Sequence, residues 1–418
     1  MPGRSQRRRL GPRTLTAALL VGLATGSLRA RAADPAPPTG TQPLEFAVVP
    51  LVGGDTDIGI GAGAIASMAR PARGDLAFRW KLEGAAFISA QREAGAFNFP
   101  FQDFFLLFTR KDLLGGRLRA ELRAAYTRES NLRYYGLGNA SVAPDETLAA
   151  RDLFTRTHPA ARANAEYRFV GPLRLLLGST YMFNQLHFAP ESNVLRDLGS
   201  SNPAVRELLL VDREHSLHWL EAGLVYDTRD NEVVPARGQN HRASVRGSPW
   251  KTAAMPFRYL GINASFSGFV PVFADESMVL AGRIVGDMQL GDAPFYELSR
   301  VSESSAIGGP KFVRGPPGNR YYGKRKVLGN LEVRNSWFEF NLRRVPYRFG
   351  TSVFLDAGRV WADVVSRPEL DGAGLGLKYG TGLGLRLQKG KNFVLRGDLA
   401  WSPDARPIAA YFLASHIF

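Results

Sequence analysis

From Leu44 to the end of the chain, apolar and polar residues alternate with a period of two. In Asp57–Ile65, Ile58, Ile60, Ala62 and Ala64 fall on one face and Asp57, Gly59, Gly61 and Gly63 on the other. Between Leu375 and Leu387, Leu375, Leu377, Tyr379, Leu383, Leu385 and Leu387 share a face, opposite Gly376, Lys378, Gly380, Gly382, Gly384 and Arg386. In Arg117–Tyr126, Leu118, Leu122 and Tyr126 oppose Arg117, Arg119, Glu121 and Arg123. Strand side chains point alternately to the two faces of a sheet, so each segment reads as a strand with one apolar face. A helix with this pattern would scatter its leucines around its whole circumference.

The alternation predicts strands at 44–53, 57–69, 76–89, 101–110, 115–128, 161–170, 173–184, 216–228, 239–248, 256–270, 276–288, 327–338, 347–358, 373–387, 391–402 and 407–418, sixteen in all. Many run well beyond the five or six residues common in globular sheets. Their polar faces hold arginines, carboxylates and glycines that a dry sandwich core would reject. Phe104, Phe105, Tyr126, Tyr167, Tyr226, Tyr259 and Tyr411 stand near strand ends, as interfacial girdles require. Short connections alternate with long ones such as 129–160, 185–215 and 289–326. The expectation is an all-β fold, a transmembrane antiparallel β-barrel of about sixteen strands, because lipid tolerates no open sheet edge. The first strand is short and contains Pro50, which cannot donate to a ladder, so the join between the first and last strands is expected to be weak.

Charge at first points elsewhere. The chain carries 53 basic and 38 acidic residues, +15 overall, which suggests a nucleic-acid binder. Seven of those charges are arginines at positions 4, 7, 8, 9, 13, 29 and 31. They surround the apolar stretch Leu15–Leu28, which Ala30-Arg31-Ala32 follows, the anatomy of a Sec-type secretory signal peptide over residues 1–33. A Pro-rich linker follows over 34–43, and the barrel is expected over 44–418. Without the seven arginines the charge is 46 minus 38, or +8, and nucleic acid drops out as a partner.

One long connection is unlike the rest. Gly308-Gly309-Pro310-Lys311-Phe312-Val313-Arg314-Gly315-Pro316-Pro317-Gly318-Asn319-Arg320 leads into the strand Val327–Arg334. Asp227-Thr228-Arg229-Asp230 precedes Pro235 and Gly238; Phe354-Leu355-Asp356-Ala357-Gly358 lies in a later strand; Phe418 ends the sequence. With these features the chain resembles the Omp85 superfamily of bacterial surface-antigen barrels. The resemblance covers 44–418 and is strongest over 307–418. It implies that the loop carrying Val313, Arg314, Gly315 and Arg320 is extracellular and folds back into the lumen between strands 11 and 12. It also implies a D-x-R-D turn at Asp227, Arg229 and Asp230, and a β-signal ending at Phe418. Pro316 stands where the family usually has an aromatic residue. Room for about eleven residues between Ala33 and Leu44 leads us to expect no POTRA domain ahead of the barrel.

An arginine in a confined lumen needs a carboxylate to offset its desolvation, and its planar fork suits bidentate pairing. Glu332 and Asp356 fall on polar faces of their strands. Family members pair the loop arginine with acids on strands 12 and 13, so Arg314 is expected to bond Asp356, Glu332 or both. The alternative is a solvated outer-loop arginine. Arg320, Lys324 and Arg325 read as lumen or loop charges.

No P-loop, Rossmann fingerprint, zinc signature or Gly-x-Ser-x-Gly elbow is present, and zero cysteines exclude thiol chemistry. His215 and His218, near Asp212 and Glu214, read as solvated loop residues rather than a metal site. No catalytic residue, metal or cofactor is expected. The leading reading is an outer-membrane barrel of a Gram-negative bacterium that assists protein or lipid insertion or transport. Its expected partners are outer-membrane lipids and lipopolysaccharide, the barrel-assembly machinery for its own insertion, and a separately encoded periplasmic protein; a monomer is expected. The alternative is a passive pore or structural surface barrel, with Arg117, Arg119, Arg123, Arg283, Arg386 and Arg396 setting anion preference.

Overall fold

The structure is a computed structural model that describes residues 43–71, 78–93, 96–141, 149–302, 304–342, 345–390, 393–404, 408–413 and 416–418. The signal-peptide and linker residues 1–42 lie outside the described residues.

Sixteen strands close an antiparallel barrel. They are β1 Glu45–Asp55, β2 Gly59–Pro71, β3 Phe78–Glu93, β4 Phe101–Leu113 and β5 Leu118–Arg133. Next come β6, which has two segments, Leu153–Thr157 and Ala160–Val170, then β7 Leu173–Phe188, β8 Glu214–Asp227, β9 Gly238–Ser248, β10 Tyr259–Pro271 and β11 Met278–Gly291. The last five are β12 Arg325–Leu342, β13 Val345–Trp361, β14 Lys378–Lys389, β15 Phe393–Trp401 and β16 Ala409–Leu413. Each strand pairs with its neighbours in sequence, and β1 also meets β16.

The two faces follow the alternation. Ile60, Leu383, Ile284 and Leu106 point outward and are exposed, while Gly380, Gly384 and Arg386 between the outward leucines of β14 are buried. Three aromatics expected in the outer girdle face inward instead. Tyr259 and Tyr411 are buried, and Phe105 lies 4.6 Å beneath the Arg123 guanidinium. Their rings pack against other inward groups, so nearness to a strand end does not by itself select the lipid face.

The odd-to-even connections lie at one end of the barrel and carry the long loops. There Tyr134, Leu137, Val194, Leu208, Leu209, Phe295, Tyr296 and Tyr322 form an apolar core with Phe154, Leu217 and Trp219 of the strands. Two short helices, Asn193–Leu198 and Pro203–Leu208, belong to it. Each has its first turn capped, by Ser192 Oγ and Asn202 Oδ1 respectively. His215 lies in this core, not in solvent as its loop-edge position suggested. It is buried against Phe257 and Tyr296, with Nε2 2.7 Å from the Tyr296 hydroxyl. His218 stacks on Trp250.

The join of the first and last strands is short. Among the described residues, only Gly54↔Phe412 and Asp55↔Tyr411 are in register, at the loop end, where the Thr56 amide also donates to Ala410 O. Glu45–Gly53 has β2 as its sole ladder partner among the described residues, and Phe46, Val48 and Val52 are strongly exposed. The described part of β16 runs from Ala409 to Leu413, and Ile417 and Phe418 are not in the ladder. Phe418 packs on the inward Phe269, 4.8 Å from the Arg283 guanidinium and 5.1 Å from that of Arg334.

The outward face of β14 should behave as a lipid face. Leu383→Arg is expected to cost about 2–4 kcal/mol if it lies near the bilayer midplane. Urea titration of the folded barrel in phospholipid vesicles checks this; an unchanged midpoint would contradict the assignment.

Candidate functional site

The loop between β11 and β12 begins with a 3-10 turn, Phe295–Ser299, and a two-rung hairpin that pairs Arg300–Val301 with Ser304–Ser305. The chain then folds tightly on itself. The Gly308 amide donates to Val313 O at 2.9 Å, and the Val313 amide donates to Ala306 O at 3.3 Å. Ala306, Ile307, Val313 and Tyr321 form an apolar cluster with Val285, Leu328 and Val360, which come from β11, β12 and β13. This cluster anchors the loop and sets the direction of the next residue.

That residue is Arg314, fully buried, and three carboxylates converge on it. Its Nε lies 2.7 Å from Asp356 Oδ2, and its Nη2 is 3.1 Å from Asp356 Oδ1 and 2.9 Å from Glu332 Oε1. Its Nη1 donates to Asp398 Oδ2 at 2.8 Å. The guanidinium plane lies 3.4 Å from the Phe354 ring centroid, and the Arg314 amide donates to Asp356 Oδ2 at 3.3 Å. Burial works against the charge of Arg314, but Asp356 and Glu332 outweigh it and hold the guanidinium more firmly protonated than usual.

The Phe354–Gly358 segment has a physical reading residue by residue. Its odd positions, Leu355 and Ala357, point away from the loop, while Phe354, Asp356 and Gly358 point to it. Phe354 stacks beneath the guanidinium and Asp356 grips its fork. A Cβ on Gly358 would stand 3.1 Å from Val313 Cγ2 and 2.6 Å from Leu328 Cδ2, so only glycine lets the loop lie this close. Gly315 adopts φ 110°, a conformation that side chains resist, and a Cβ there would press on Ser402.

The loop also touches both sides of the barrel seam. The Gly315 amide donates to the Tyr411 hydroxyl on β16 at 2.9 Å. The Gly318 amide donates to Asp57 Oδ2 in the β1–β2 turn at 2.8 Å. Pro316 is buried between these two anchors. The position usually aromatic in the family thus holds a small rigid ring, and hydrogen bonds on either side hold the loop there.

Among the residues singled out in the sequence, Val313, Arg314, Gly315, Glu332 and Asp356 come together here. Arg320 does not join them. It donates from Nη1 to Ser141 Oγ at 2.8 Å and from Nη2 to Ser141 O at 3.1 Å, and lies over Tyr135 and Tyr321. Asp227, Arg229 and Asp230 lie far along the chain in a ten-residue turn at the other end of the barrel. Arg229 Nε and Nη2 each lie 3.0 Å from an Asp227 carboxylate oxygen, and Asp230 Oδ1 accepts the amides of Ala236 and Arg237. Sequence reasoning did not name Asp398 and Phe354 as partners of Arg314. Both sit at inward positions of their strands, which was the available signal.

A closed antiparallel barrel with an apolar outer face, a charged bore and an arginine-bearing loop defines an outer-membrane β-barrel. Residues 94–408 match the Omp85 superfamily domain, and the chain belongs to that superfamily. Membership assigns it a general outer-membrane translocation or assembly role in a Gram-negative bacterium. Among solved structures it is similar to BamA from Haemophilus ducreyi lacking POTRA domains 1–3, at 15% identity and a TM-score of 0.60. That match covers 88% of this chain and 70% of the other. It is also similar to CdiB from Escherichia coli, at 14% identity and a TM-score of 0.55, covering 91% of this chain and 64% of the other. At these identities the likeness concerns the fold. No curated protein matches the sequence.

The central ion cluster should behave as one unit. Removing one partner of a buried pair typically costs about 3–5 kcal/mol because the other charge is left unpaired. Arg314→Ala and Asp356→Ala are each expected to lower heat stability sharply, and the double variant should lose much less than their sum. Simple additivity of the three losses would show that the two residues are not coupled.

Proposed function

We propose that this chain is an outer-membrane Omp85 barrel that assists insertion or transport of proteins or lipids, with its lumen closed by the Val313-Arg314-Gly315 loop. The observation that carries this reading is Arg314, buried and held by Asp356, Glu332 and Asp398, because a loop so anchored does not leave the bore at random. The short join between β1 and β16 supports a lateral route at the seam. Anchors to Tyr411 and Asp57 let the same loop bias whether that seam opens.

In this reading the protein is not an enzyme and has no catalytic residue or cofactor. Its substrates reach the seam from the periplasmic side, presented by a separately encoded periplasmic partner. Outer-membrane lipids and lipopolysaccharide surround a monomeric barrel. Residues 1–33 act as a Sec-type signal peptide, and the barrel-assembly machinery inserts the chain by its C-terminal β-signal at Phe418. The Asp227–Asp230 turn stiffens the rim of the barrel. The rival reading is a passive pore or structural barrel, favoured by the arginines along the bore.

Planar-bilayer recording together with an insertion assay tests the reading. The intact barrel is expected to give small, flickering currents that grow when residues 308–323 are deleted. Vesicles carrying it are expected to speed folding of an unfolded outer-membrane barrel relative to empty vesicles. A large steady current from the intact chain without such acceleration would favour the pore.

A further inference from the structure

The inward wall beside the Arg314 cluster carries more positive charge than its carboxylates balance. Five buried arginines, Arg283, Arg314, Arg334, Arg386 and Arg396, face three buried acids, Glu332, Asp356 and Asp398. Arg386 and Arg396 are direct cross-strand partners on β14 and β15, an arrangement that ordinarily destabilises a sheet. Arg334 pairs in register with Ser352, which pairs with Gly384, itself paired with Asp398. These inward groups therefore occupy one patch across four adjacent strands.

Several donors in that patch are buried and have no hydrogen-bond partner among the described residues: Arg334 Nη1, Arg386 Nε and Nη2, Arg396 Nε and Nη1, and Ser352 Oγ. Of the carboxylate oxygens in the patch, Glu332 Oε1 also lacks a hydrogen-bond partner among the described residues, and the others are engaged. Asp398 takes Arg386 Nη1 at 2.6 Å and Arg314 Nη1 at 2.8 Å. Glu332 Oε2 takes Arg334 Nε at 2.8 Å, while its Oε1 forms an ion pair with Arg314 Nη2 at 2.9 Å. The nearest acid oxygens to Arg386 Nη2 and Arg396 Nε are 3.6 and 3.4 Å away. Buried donors left unpaired are costly, and a cluster of them on adjacent guanidinium groups calls for an acceptor that carries negative charge.

We propose that Arg334, Arg386, Arg396 and Ser352 form an oxyanion site in the bore, suited to phosphate. A tetrahedral oxyanion presents several acceptor oxygens to convergent guanidinium forks and neutralises the excess charge. The occupant is free phosphate in the bore or the phosphate of a lipid headgroup; both present the same chemistry. The site adjoins the loop anchor, since Arg396 Nη2 donates to Pro310 O at 2.8 Å and Asp398 takes both Arg314 and Arg386. The inference does not depend on the transport reading.

Calorimetric titration of the detergent-purified full chain with inorganic phosphate tests the proposal, with potassium chloride at matched ionic strength as the control. A saturable heat is expected with phosphate alone. Short-chain phosphatidic acid in mixed micelles, run in parallel, assigns the source: saturable binding of either ligand supports the site. Arg396→Gln should weaken binding about tenfold or more, the effect of losing one charge-assisted contact. Ser352→Ala, which keeps every guanidinium, should weaken it by a smaller factor. No saturable heat with either ligand, or an equal response to chloride, would overturn the proposal.

Discussion

A guanidinium taken out of water must be met by negative charge and by acceptors for its N–H groups, and this requirement organises the bore of the barrel. Arg314 is fully buried, and its surroundings follow from that. Asp356 on β13, Glu332 on β12 and Asp398 on β15 converge on it from three strands, and Phe354 covers its flat face. Because a buried charge without its partners is strongly destabilising, the loop position and the local strand arrangement specify each other. The apolar anchor around Val313 and Ile307 supplies the packing half of the same fit.

The consequence reaches the weakest part of the wall. A barrel protects its strand edges by closing, yet here closure rests on two registered pairs between β1 and β16 among the described residues. The residues after Arg314 bond across that join, Gly315 to Tyr411 and Gly318 to Asp57. Burial in the β1–β2 turn raises the pKa of the Asp57 carboxyl, which the Gly318 amide and nearby Arg133 oppose. One loop thus connects the ion cluster on β12, β13 and β15 to both sides of the seam.

Much of this was legible in the sequence, and the exceptions have physical causes. Alternation located all sixteen strands because one face meets lipid and the other a charged bore, a contrast that period-two patterning records directly. The pairing of Arg314 with Asp356 and Glu332 was accessible because strand parity puts both acids inside. Asp398 was missed as a third partner because alternation gives the face of a residue but not its height along the bore or the reach of a loop. Phe105, Tyr259 and Tyr411 were misread because an aromatic ring serves a girdle and an interior contact equally well. His215 was misread for a related reason: the apolar core made by the loops at one end has no periodic signature. The contact of Phe418 with Phe269 was hidden because an apolar residue at a chain end fits a ladder and an inward packing position equally well.

Hydrogen exchange in the folded barrel, read for the parent and for Arg314→Ala, tests the central claim most directly. The account predicts that the amides of Gly315 and Gly318, protected in the parent, exchange rapidly in the variant. It also predicts that β16 amides from Ala409 to Leu413 lose protection with them, while those of β9 and β10 do not. Loss of protection confined to the loop, with β16 unchanged, would contradict a structure in which the arginine cluster and the seam depend on each other.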